Sequence, residues 1–113
     1  MSKFDELLDV YTSEFEKTLS EELDADFLRK VTKGLGPSIY NADASKVSGS
    51  DPKELETVKK NFLIKKLGLE DSPALDEAIE EVIEKLGKSN RNKYRAIFYY
   101  LLAKKFNKEE VYN

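Results

Sequence analysis

Hydrophobic residues recur along this chain at helical spacing. From Phe4, the positions Leu7, Leu8, Tyr11, Phe15 and Leu19 follow at intervals of three and four, with Asp, Glu and Lys filling the opposite face. The spacing predicts a first helix from about Lys3 to Ser20. Phe27, Leu28, Val31 and Leu35 predict a short second helix from about Asp26 to Lys33, with Asp24 or Asp26 as its N-cap and Gly34 or Gly36 as its stop. Ser50-Asp51-Pro52 offers a capping oxygen followed by a proline at the first helical position, and so opens a third helix. Its apolar positions are Leu55, Val58, Phe62, Leu63 and Leu67, and Gly68 ends it.

The same grammar brackets a fourth helix between Asp71-Ser72-Pro73 and Gly87, with Leu75, Ala78, Ile79, Val82, Ile83 and Leu86 on one face. A fifth is predicted from about Ser89 or Asn90 to Phe106. From Ile97 to Leu102 it is apolar on nearly every side, so the other helices are expected to pack around it. Residues 107–113 are expected to fray. The expected fold is a single all-helical domain over residues 1–113, with about five helices and one long ordered loop at about residues 34–50.

Composition changes this picture mainly by exclusion. The 113 residues contain no His and no Cys, which removes disulfides, Cys nucleophiles, His general bases, zinc fingers and the Ser-His-Asp triad. No cofactor, metal ligand or catalytic residue is expected. The carboxylates Asp76, Glu77, Glu80, Glu81 and Glu84 share the outer face of the fourth helix and read as a solvated surface. Ser, Tyr, Lys and acidic residues stand in no recognisable catalytic arrangement, and the reading leans against an enzyme.

Met1 to Asp9 is amphipathic and acidic, unlike a secretory signal. The longest uncharged apolar run, Ala96 to Ala103, falls well short of the roughly 20 residues a membrane span requires. A cytoplasmic location with no membrane partner is therefore expected. The net charge of -3 conceals segregation, with -4 over residues 1–33, -6 over 69–87 and +5 over 88–113. Acidic and basic segments are expected to face each other in part.

Two places invite a binding reading. The stretch GLGPSIYNADASKVSGS, residues 34–50, is long for a connection between helices, and Ile39, Tyr40 and Val47 give it apolar anchors. It is expected to be ordered, with a helical turn near Ser38 to Ala42. It is expected to close over one end of the core; the alternative is a binding loop, with Gly34, Gly36, Ile39, Tyr40 and Asp43 as candidate partner-binding residues and Gly34, Gly36 and Gly49 allowing close backbone approach. The second place is the start of the fifth helix. Lys88, Arg91, Lys93 and Arg95 bring positive charge to a helix end that is already partly positive. Acidic segments, either the fourth helix or Glu21 to Asp26, are the expected counter-charges. The alternative is an anion or nucleic-acid site, with Tyr94, Tyr99 and Tyr100 as rings able to stack bases.

The phrases VTKGLGPSIYNADASKVSGSDPKELETVKKNFLIKKLGL and NKYRAIFYYLLAKKF resemble a family of small, uncharacterised bacterial proteins classed as a domain of unknown function and described as all-helical. The resemblance runs from about Val31 to Phe106 and is mainly one of pattern in the first helix. It implies an all-helical fold and a bacterial cytoplasmic setting, and carries over no activity, ligand or catalytic residue. The functional expectation is a non-enzymatic interaction module that presents the loop and the basic segment to a protein partner. An anion or nucleic-acid binder is the alternative.

Overall fold

Side-chain caps and chain-reversing glycines set the helix bounds. The computed structural model describes residues 2–19, 21–90 and 92–112. Helix α1 spans Lys3–Thr18, its N-terminus closed by Ser2 Oγ accepting from the Asp5 amide at 3.2 Å. The expected end at Ser20 lies outside the described residues. Helix α2 covers Ala25–Leu35 and is capped by Asp24, whose Oδ1 accepts from the Phe27 amide at 3.1 Å. Helix α3, Pro52–Thr57, runs without a break into a π-helical stretch, Val58–Lys66. Helices α4, Pro73–Leu86, and α5, Arg95–Lys105, complete the set. Gly87, with φ of 97°, ends α4 in a conformation that side-chain-bearing residues rarely adopt.

The π-helical stretch follows from the spacing of its buried residues. Val58 and Leu67 are both buried, yet they stand nine positions apart, about two and a half turns at 3.6 residues per turn. An α-helix would set them on opposite sides. Longer turns, closed by bonds such as the Leu67 amide to the Phe62 carbonyl at 2.9 Å, bring Val58, Phe62, Leu63 and Leu67 onto one face.

The fold is all-helical, and no strand occurs among the described residues. Helix α5 lies against α1, α2 and α4, and buries Ala96, Ile97, Phe98 and all of Tyr100 to Ala103. Side chains from every helix join one hydrophobic cluster, with each fully buried Leu or Phe contributing about 1.5–3 kcal/mol. The Cα radius of gyration is 13.1 Å, close to the roughly 13 Å expected for about 100 residues in one compact unit. Charge segregation is resolved as anticipated, with Lys104 bonded to Asp24 at 3.1 Å and Lys105 paired with Glu81.

The chain end differs from expectation. Instead of fraying, Glu109–Tyr112 forms a 3-10 turn that returns to α2, where the Tyr112 and Phe27 rings meet edge to face at 5.5 Å. Gly34 makes this possible, because a Cβ there would lie 3.2 Å from Tyr112 Cε1. Asn113 lies outside the described residues.

The core carries an alkaline sensitivity. Burial pushes the Tyr11 phenol up to about 12, and the neighbouring Tyr94 and Tyr40 phenols add to the effect. Burial moves Tyr100 and Tyr112 the same way. The folded value of Tyr11 exceeds the ordinary 10.0, so its contribution is complete below pH 10 and disappears as pH rises through about 12. Circular dichroism should show stability falling from pH 10 to 12. Tyr11→Phe should stay within about 1 kcal/mol of the wild type at pH 7 and exceed it by on the order of 2 kcal/mol at pH 12.

Candidate functional site

The long connection is built from local turns. Gly36, with φ of 65°, ends α2 and starts a 3-10 turn over Gly36–Tyr40. Alternate side chains then part company. Ile39 is 4% exposed and joins the interior, whereas Tyr40 is 50% exposed and stands beside Tyr11. Asn41 reverses the chain, its Oδ1 accepting from the amides of Asp43 and Ala44 at 2.9 and 3.0 Å. Asp43 is exposed, and Ser45 and Val47 turn inward.

The second segment is also built from turns, and this moves the start of the last helix. A helix from Ser89 or Asn90 was the expectation, but α5 begins only at Arg95. Asn90 is the reason. Its Nδ2 donates to the Leu86 carbonyl at 2.9 Å, closing the end of α4, and its Oδ1 accepts from the Asn92 amide at 2.9 Å. The chain therefore reaches Arg95 extended. Lys88 and Lys93 precede the helix, and of the described basic residues only Arg95 occupies its first turn. Arg91 lies outside the described residues.

These two segments meet. Lys46 and Tyr94 form an antiparallel bridge in which the Val47 amide donates to the Lys93 carbonyl at 2.8 Å and the Arg95 amide donates to the Ser45 carbonyl at 2.7 Å. Arg95 then fastens the junction through its side chain. Its Nε donates to the Ala44 carbonyl at 2.8 Å, Nη1 to the Tyr99 hydroxyl at 3.0 Å, and Nη2 to the Lys46 carbonyl at 3.3 Å and to Glu54 Oε1. The counter-charge of Arg95 is thus Glu54 on α3, not the fourth helix or the Glu21 to Asp26 segment. With side chains 15% and 23% exposed, Arg95 and Glu54 form a largely desolvated pair.

Between the joined segments lies an open cleft of about 640 Å³, walled by Asp43, Lys46, Ser48 to Ser50, Lys88 and Lys93 among others. Of the candidate loop residues, Asp43 borders this cleft. Gly34 instead belongs to α2 and faces Tyr112, and Ile39 serves the core. The rings of the last helix are packed internally. Tyr94 lies 4.9 Å from Tyr11, Tyr99 stacks on Phe62 at 3.9 Å, and Tyr100 meets Phe15 at 5.3 Å. No set of three or more carboxylates converges as a metal site among the described residues. No helix there is long and apolar enough to cross a membrane.

Sequence reasoning missed Glu54 and Lys46 as parts of this region. Glu54 stands 41 positions from Arg95 and gave no local signal. The Ser-Asn-Arg-Asn run at 89–92 is a turn signal, although the fifth helix was expected to begin at Ser89 or Asn90.

Breaking the junction should be costly. Arg95→Met strands Glu54 and is expected to lower stability by about 3 kcal/mol, against about 1 kcal/mol for Glu54→Gln, which keeps an acceptor. Ile39→Ala should cost about 2–4 kcal/mol. Urea unfolding of the three variants checks the order.

No curated protein matches this chain. A family of proteins of unknown function, DUF2853, matches residues 10–110, and the chain belongs to that family.

Proposed function

We propose that this is a non-enzymatic interaction module of the bacterial cytoplasm, and that it docks a protein partner on the face formed by the 36–50 loop and the 88–94 segment joined to it. The observation that carries this reading is Tyr40. It is one of two large hydrophobic side chains that stand exposed among the described residues, on a loop whose neighbouring anchors Ile39 and Val47 are buried. Tyrosine offers a large contact area with a polar tip, and a loop already fixed in place loses little further freedom on binding.

Two features support the non-enzymatic side of the reading. The sequence lacks His and Cys, and the strongly held charged group at the junction, Arg95, is engaged by Glu54 and backbone carbonyls. The nucleic-acid reading has less support, because Arg95 and the rings of Tyr94, Tyr99 and Tyr100 are engaged inside the fold.

Tyr40→Ser isolates the docking role, since an exposed side chain can be shortened at a cost within about 0.5 kcal/mol. The tagged protein should retain a defined protein at about 0.15 M salt, and the variant should retain at least tenfold less while melting at nearly the same temperature. Equal retention by the variant would remove Tyr40 from the account. Retention of nucleic acid alone, lost as salt rises, would favour the alternative.

A further inference from the structure

Lys93 is a buried cation without a counter-ion among the described residues. The residue is 4% exposed, and its ammonium donates to the carbonyls of Asn90 at 2.6 Å and Lys88 at 3.0 Å. No carboxylate lies within 4 Å of it among the described residues, in contrast with Arg95 two positions on, which has Glu54. Two carbonyls engage two of the three ammonium donors and neutralise none of its charge. Burial pulls its pKa below the ordinary lysine value. A buried charge in this condition is costly unless an opposite charge arrives.

The surroundings are arranged to admit one. Lys93 lines the open cleft of about 640 Å³ between the 42–50 and 88–93 segments. The rim adds Lys46 and Lys88 against a single described acid, Asp43, so the lining carries a net charge of +2 in a protein whose overall charge is -3. Lys88 is exposed and only loosely associated with Glu84 at 4.0 Å, while Lys46 lies over the Tyr94 ring at 5.6 Å. Gly49 brings the loop backbone down onto the lysine stem. A Cβ there would fall 3.2 Å from Lys93 Cε. Serine hydroxyls at 48, 50 and 89 supply further donors around the opening.

We propose that this cleft binds a dianionic phosphate group, with the Lys93 ammonium at its base and Lys46 and Lys88 at its rim. A compact, multiply charged oxyanion suits three ammonium groups better than a carboxylate, which carries one charge and favours the planar fork of arginine. The site is independent of Tyr40 docking and would stand if that reading failed.

The test is titration of the intact ¹⁵N-labelled protein with inorganic phosphate at pH 7.5, with ionic strength held constant by sodium chloride. Amides of Gly49, Ser50 and Ser89 should shift saturably, while acetate shifts them less. Lys93→Met should weaken binding about tenfold or more. Should that variant lose its amide dispersion, the double substitution Lys46→Gln, Lys88→Gln at the rim replaces it and should weaken binding by about the same factor. O-phosphoserine distinguishes the sources. Tighter binding than inorganic phosphate indicates a phosphate carried on an ester, and equal binding indicates the free ion. Shifts that grow linearly without saturating, equal those caused by sodium chloride or acetate, or persist unchanged in a folded Lys93→Met protein would overturn the proposal.

Discussion

A guanidinium that leaves water must have its donors matched, and at Arg95 this requirement organises one end of the molecule. Its four partners lie on three separate elements: the carbonyls of Ala44 and Lys46 in the loop, Glu54 on α3, and Tyr99 one turn along α5. Removing any one element would leave buried donors of the guanidinium unmatched. The long connection is therefore tied to α3 and α5 although it has little regular structure, and its shape follows in part from how one side chain is solvated by protein.

That constraint explains why the two sequence segments with the clearest binding character sit side by side. The bridge between Lys46 and Tyr94 joins the backbones, and Arg95 locks the joint. Tyr40 is then displayed from a fixed loop, and the cleft containing Lys93 is bounded on both sides by fixed turns. The neighbouring cations illustrate two solutions to burial. Arg95 is paired with a carboxylate, whereas among the described residues Lys93 meets carbonyls and no carboxylate, and the difference motivates the anion proposal.

Much of the architecture was legible because amphipathic spacing and caps are local properties. The apolar stripe of α4, bracketed by Pro73 and Gly87, is recovered to the residue, and the all-round apolar character of Ile97 to Leu102 identifies the central helix. The errors arise where distant contacts override local signals. The nine-residue interval from Val58 to Leu67 fits no α-helical face, and tertiary burial resolves it by widening the turns. Tyr112 reads as part of a polar tail until Gly34 provides a place for its ring. Of the basic run read as a helix N-terminus, Lys88 and Lys93 precede the helix, because the side chain of Asn90 closes α4 and turns the chain. At the candidate site, the loop could be recognised from its length and anchors. Its coupling to Glu54 could not, since charge pairs across 41 positions leave no periodic trace.

Hydrogen exchange at the Val47 and Arg95 amides tests the central role of Arg95 most directly. Both amides donate across the junction, at 2.8 and 2.7 Å, and exchange reports the opening of that joint separately from global unfolding. The account predicts strong protection at both amides in the wild type. In Arg95→Met, protection should collapse at these two positions and at neighbouring loop amides, while core amides of α4 such as Val82 remain protected. Rapid exchange at Val47 in the wild type, or unchanged protection at Val47 and position 95 in the variant, would contradict it.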